Sequence, residues 1–157
     1  MRSEQEVRRA IERYSNTVNR ICMTHLKNYH DTEDIFQTVF LKYALNSVEF
    51  ENDEHEKAWI IRVTINACKD LLKSFFRNRT VPLDEIILKT EDNSNENSEV
   101  LEAVLSLPQK YRTVVYLHYY EGYTAVEIAK MLNKNENTVY THLTRAKKML
   151  KDILGGD

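Results

Sequence analysis

Residues 124–150 read TAVEIAKMLNKNENTVYTHLTRAKKML, and the reading of this stretch decides the fold. Thr124 stands three residues ahead of Glu127. This is a capping-box spacing, in which a hydroxyl and a carboxylate satisfy the free N–H groups at a helix start. Val126, Ile128, Ala129 and Leu132 then give a short apolar face. A second helix is expected from Asn135, a favoured N-cap type. Its apolar residues Val139, Leu143, Ala146 and Leu150 recur at spacings of four, three and four, which line one face. Between the two lies Leu132-Asn133-Lys134. Asn tolerates the left-handed conformation that a tight turn needs. Two short helices across so short a turn make a helix-turn-helix.

The second helix turns Asn137, Tyr140, Thr141, Thr144, Arg145 and Lys148 outward. These side chains can bond phosphates and base edges or touch a thymine methyl. From Lys130 to Lys151 six basic residues face one acidic residue, Glu136, a local charge of about +5. A solvated basic helix would carry the same charges. The agreement of turn, caps and basic face favours DNA.

Over the whole chain the net charge is only −2, so a generic polyanion binder is excluded. The charge is segregated instead. Residues 59–80 hold Arg62, Lys69, Lys73, Arg77 and Arg79 against Asp70; residues 84–102 hold seven acidic residues against Lys89. Basic, acidic, basic is the order. Three Gly and two Pro in 157 residues point to helices with few tight turns. Cys22 and Cys68 both fall on apolar helical faces and read as buried, reduced thiols. The five histidines show no metal-ligand spacing with them, and no cofactor is expected. No Gly-rich phosphate loop or nucleophile signature supports an enzyme. No apolar run is long enough for a membrane, and the polar start suggests a cytoplasmic protein without membrane insertion.

Helical periodicity covers residues 4–27, 31–45 and 55–78, enough for one three-helix core. Trp59 reads as core, beside Ile60 and Val63. Pro82 stops the third helix. KTEDNSNENS, residues 89–98, is too polar to offset its ordering entropy. A flexible acidic linker over 81–98 would reach roughly 60 Å when extended. Periodicity resumes at Glu99. One helix ends at Leu107, Pro108 starts the next, with Val114, Val115, Leu117 and Tyr119 as its apolar positions, and Gly122 closes it. The fold class is all-α, with domains at 1–80 and 99–157.

At this point both halves resemble one family. LPQKYRTVVYLHYYEGYTAVEIAKMLNKNENTVYTHLTRAKKML is similar to the −35-reading region 4 of bacterial RNA polymerase sigma factors, through Leu107-Pro108, Arg112, Tyr119-Tyr120-Glu121-Gly122, Glu127-Ile128-Ala129, Thr138-Val139 and Arg145-Ala146. DTEDIFQTVFLKY, residues 31–43, resembles the polymerase-docking helix of region 2. WIIRVTINACKDLLKSFFR resembles its −10-reading helix, with Trp59, Asn66, Asp70 and a basic tail in place. Two such domains on a short linker look like the extracytoplasmic-function group.

The resemblance implies a transcription initiation factor with no chemistry of its own. It would bind core RNA polymerase and promoter DNA, help open the duplex, and be held inactive by an anti-sigma factor. Docking would use Asp34, Gln37, Thr38, Leu41 and Lys42, although the family usually carries an acidic residue where this chain has Thr38. At −10, Asn66 would help hold an unpaired base, with residues 46–56 as the pocket wall, and Arg62, Lys69, Lys73, Arg77 and Arg79 would hold phosphates. Tyr140 and His142 stand where Lys or Arg are frequent, which implies fewer phosphate contacts. The physics suits two elements about 70 Å apart on B-DNA, at ~34–36 Å per turn: one small domain cannot span that, and two on a tether can. A conventional helix-turn-helix regulator independent of polymerase is the rival reading, and it leaves residues 31–79 unexplained.

Overall fold

The computed structural model describes residues 1–26, 28–77 and 98–155. The chain divides into two compact units, Met1–Thr90 and Glu91–Asp157. The expected linker, 81–98, lies outside the described residues up to its last member, Ser98, which opens a helix.

The first unit holds α1 (Glu4–Leu26), α2 (Tyr29–Leu45) and α3 (Asp53–Arg77), each packed on the other two. A capping box starts α1: Ser3 N donates to Glu6 Oε1 at 2.9 Å, and Glu6 N to Ser3 Oγ at 3.1 Å. The other two helices begin two residues ahead of the sequence reading, because asparagines supply their caps. Asn28 Oδ1 accepts from Asp31 N at 3.0 Å. Asn52 Oδ1 accepts from His55 N at 2.8 Å. Tyr14, Val18 and Cys22 from α1, Ile35, Val39 and Phe40 from α2, and Ile60 and Cys68 from α3 share one buried core. Cys22 and Cys68 are free thiols, buried, with Sγ atoms 3.9 Å apart. Trp59 is half-buried against this core, edge-on to Tyr43 and Phe50.

A carboxylate ties the three helices together. Glu56 of α3 accepts from Tyr14 of α1 at 2.9 Å and from Tyr43 of α2 at 2.6 Å. Arg13 lies 3.9 Å from Glu56 and 3.0 Å from Asp53. Burial, reinforced by Glu56, pushes the Tyr43 hydroxyl up to about 12 and raises that of Tyr14 further. Glu56→Ala removes the acceptor of two partly buried hydroxyls and is expected to cost about 2 kcal/mol. Glu56→Gln, which still accepts, costs less. Urea denaturation followed through Trp59, the single tryptophan, reads this unit alone.

The second unit holds α4 (Ser98–Leu105), α5 (Gln109–Val115), a π turn (Tyr116–Tyr120), α6 (Ala125–Leu132) and α7 (Glu136–Ile153). Val104, Leu107, Tyr111, Val115 and Ala146 form one buried cluster of its core. Arg112 is buried and donates to Leu105 O and Leu107 O, each at 3.2 Å, so it closes the carbonyl end of α4. Burial lowers its pKa.

Two apolar assignments are corrected here. Tyr119 is 56% exposed, and Tyr116 is buried in its place. At Tyr119 the chain is in a π turn, in which Glu121 N donates to Tyr116 O five residues back. A wider turn holds more than 3.6 residues and sets the helix phase back, so a 3.6-residue period carried through it to Tyr119 points to the wrong residue; Tyr116, at the start of that turn, continues the buried run Tyr111–Val115. Val126 also faces outward, and Ala125, Ile128 and Ala129 are the buried residues of α6.

Candidate nucleic-acid and polymerase interfaces

The helix-turn-helix is assembled by the groups its sequence offers. Thr124 N donates to Glu127 Oε1 at 2.9 Å and Glu127 N to Thr124 Oγ1 at 3.1 Å, a reciprocal cap on α6. Asn133 takes the left-handed conformation, φ 58° and ψ 49°. That turn lets Lys134 N reach back to Ala129 O at 2.8 Å. Asn135 then caps α7, its Oδ1 accepting from Asn137 N at 2.8 Å. Asn133→Ala is expected to destabilise the unit by about 1 kcal/mol and Asn133→Gly to be near neutral, since only the former meets the left-handed penalty. Amide exchange in α6 and α7 reports the difference.

On α7, Val139 and Ala146 are buried, with Leu143 and Leu150 half-buried beside them. Asn137, Tyr140, Thr141, Thr144, Arg145 and Lys148 are all exposed, in one strip along the opposite side. His142 does not join that strip. Its ring lies edge-on to Tyr111 at 5.3 Å. Burial, then the charges of Lys110, Lys134 and Arg145, hold its pKa below the usual histidine range. Its ring packs on Tyr111 instead of extending the exposed strip.

On α3, Arg62, Asn66 and Lys73 are exposed and Lys69 is half-buried, at spacings of four, three and four. Ile60, Ile61, Thr64, Ile65 and Cys68 fill the other side. Arg77 ends the helix; its side chain, and Arg79 altogether, lie outside the described residues. The segment 46–52 sits between α2 and α3, beside an open cleft of about 410 Å³. That cleft is lined by Arg2, Arg9, Arg13, Glu49, Phe50 and Asn52 among others, and not by Asn66. Asn66 lies ten residues along α3 from Glu56, about 15 Å at 1.5 Å per residue. The structure therefore does not bring Asn66 to the cleft.

On α2, Asp34, Gln37, Thr38, Leu41 and Lys42 are all exposed, at the i, i+3, i+4, i+7, i+8 positions of one face. Leu41 is 60% exposed. The Thr38 hydroxyl donates to Asp34 O at 3.0 Å, so it is turned onto its own helix. Among the described residues no cluster of His, Cys, Asp or Glu could hold a metal ion, and no helix is long and apolar enough to cross a membrane.

Comparison with known proteins shows the family of the chain. Residues 10–79 match the family described as Sigma-70 region 2, and residues 97–150 that described as Sigma-70, region 4. The RNA polymerase sigma factor SigV of Bacillus subtilis is 31% identical over 135 residues, covering 84% of this chain and 81% of that protein. The chain belongs to the sigma-70 family, extracytoplasmic-function group. The ECF RNA polymerase sigma factor SigW of the same organism is 24% identical over 92% of this chain and 86% of its own. Among solved structures, the sigma factor RpoE of Bartonella quintana, in complex with the anti-sigma factor NepR, superposes with a TM-score of 0.77 at 16% identity. The match covers 98% of this chain and 99% of that one.

A sigma factor binds core RNA polymerase and directs it to promoters through the −10 and −35 elements, and that is the function of this chain. The rival regulator independent of polymerase is set aside, because the first unit matches region 2 as fully as the second matches region 4. Sequence reasoning missed Arg2, Glu56 and Arg112 as organisers of the sigma factor's two units. The first two act across about forty residues, and no local pattern announces them.

Proposed function

We propose that this sigma factor reads the −35 element with Asn137, Tyr140, Thr141, Thr144, Arg145 and Lys148 of α7. The −10 element falls to Arg62, Asn66, Lys69, Lys73, Arg77 and Arg79 around α3. Core polymerase docks on Asp34, Gln37, Thr38, Leu41 and Lys42 of α2. The observation that carries this is the α7 strip: six hydrogen-bonding residues exposed on one side of a helix whose other side is packed into a capped helix-turn-helix. Its outer width suits the major groove, where the second helix of such a motif lies.

The domains run 1–80 and 99–157 with a linker at 81–98, so that each basic surface meets its own element. The chain works in the cytoplasm, where polymerase and chromosome are, performs no catalytic step of its own, and is restrained by an anti-sigma factor. The complex of the similar Bartonella protein with NepR supports that last point. The test is run-off transcription by core polymerase on a genomic promoter pool, with and without the chain. Template-specific transcripts are expected only when it is present. Start sites that do not depend on it would overturn the assignment.

A further inference from the structure

We infer that Arg2 is a positioning residue for the segment 46–52, the part ahead of α3 of the 46–56 wall that the family resemblance implies for the −10 pocket. This rests on the reading of that segment as promoter-facing. Arg2 stands immediately before the Ser3–Glu6 capping box, so its backbone is fixed against the start of α1. From there it crosses to the end of α2 and the segment beyond. Its backbone N donates to Ala44 O at 2.9 Å, its Nε to Tyr43 O at 3.0 Å, and its second guanidinium arm to Val48 O. Tyr43 O and Ala44 O belong to the last turn of α2, where carbonyls have no partner within the helix. Val48 O belongs to the irregular segment itself.

The same guanidinium lies 4.5 Å from the centre of the Tyr43 ring and 5.1 Å from that of Phe50, which stack on each other at 6.3 Å. Glu6 Oε2 stands 3.9 Å away, and the Arg2 side chain is only 12% exposed. A planar fork can bond two carbonyls and lie against rings at once; an ammonium cannot. Phe50 in turn meets Trp59 and His55 edge-on. Arg2 therefore sets both the backbone at Val48 and the ring at Phe50. Irregular segments spend ordering entropy when they bind, and one fixed beforehand keeps more of its discrimination.

The experiment uses the full chain with core polymerase and a promoter that the wild-type chain selects from a genomic pool. Discrimination is the transcript ratio between that promoter and versions altered at −10 or at −35. Arg2→Ala is expected to lower −10 discrimination about tenfold, or ~1.4 kcal/mol, and to leave −35 discrimination unchanged. Exchange of the amides of residues 47–51 speeds up in the same variant. Arg2→Lys, which keeps the charge and not the fork, recovers less than half of the loss. Discrimination at −10 that survives Arg2→Ala overturns the inference, even where exchange quickens, because Arg2 then matters to structure alone. Equal loss at both elements overturns it too. A wild-type chain that yields no core-dependent transcript overturns the promoter reading itself, a result distinct from either.

Discussion

Leu41→Glu is expected to weaken binding of this chain to core RNA polymerase at least 100-fold while leaving the fold intact. Leu41 is 60% exposed on α2, with Asp34, Gln37, Thr38 and Lys42 around it on the same face. Leu45, one turn further on, is 61% exposed. Exposed leucines on an otherwise polar helix face are what an anchor looks like before its partner arrives. Burying such a side chain at an interface contributes about 1.5–3 kcal/mol. A carboxylate in its place forfeits that and leaves a charge to be desolvated without a partner, which costs several kcal/mol more. Together these exceed the ~2.7 kcal/mol that a 100-fold change in Kd requires. The helix itself tolerates glutamate as well as leucine, and the position faces away from the core, so stability should move by no more than about 0.5 kcal/mol. Fluorescence anisotropy of labelled chain titrated with core polymerase measures the first effect, and urea denaturation through Trp59 the second. Glu12→Ala, exposed on α1, is the control and should leave binding unchanged. Undiminished binding by Leu41→Glu would move the docking surface off this face of α2.

The helix-turn-helix was legible in the sequence because each of its decisions is local. Thr124 and Glu127 cap one helix, Asn133 makes the turn, Asn135 caps the next, and all lie within twelve residues of one another. The segregation of faces on α2, α3 and α7 was legible for the same reason: a helix period needs only one turn of context. What escaped the reading depends on distance or on departure from that period. Arg2 and Tyr43 are 41 residues apart, and Tyr14 and Glu56 are 42. Nothing near Arg2 distinguishes it from a solvated arginine until α2 is folded against it. The π turn defeats periodicity in another way, since the pattern stays helical and only its phase slips, which leaves Tyr119 exposed. His142 lies on α7 with its ring edge-on to Tyr111, a contact that no local pattern announces.

Arg145→Ala should cost about 1–3 kcal/mol, roughly 5- to 150-fold, in binding of the polymerase holoenzyme to its preferred −35 element, and almost nothing on scrambled −35 DNA. The argument is geometric. Arg145 is exposed on the strip of α7 that also carries Thr141 and Lys148, one turn to either side. An arginine fork there can meet the two major-groove acceptors of a guanine, a contact that exists only on the right sequence. Lys148, nearer the end of α7, offers a single mobile charge suited to phosphate. Its loss should therefore weaken binding alike on all sequences and reduce the salt slope by about one ion. Filter binding at several salt concentrations, on preferred and scrambled duplexes, separates the two. If Arg145→Ala lowers affinity equally on both duplexes and flattens the salt slope as Lys148→Ala does, Arg145 holds phosphate, and base reading on α7 passes to Asn137, Tyr140, Thr141 and Thr144.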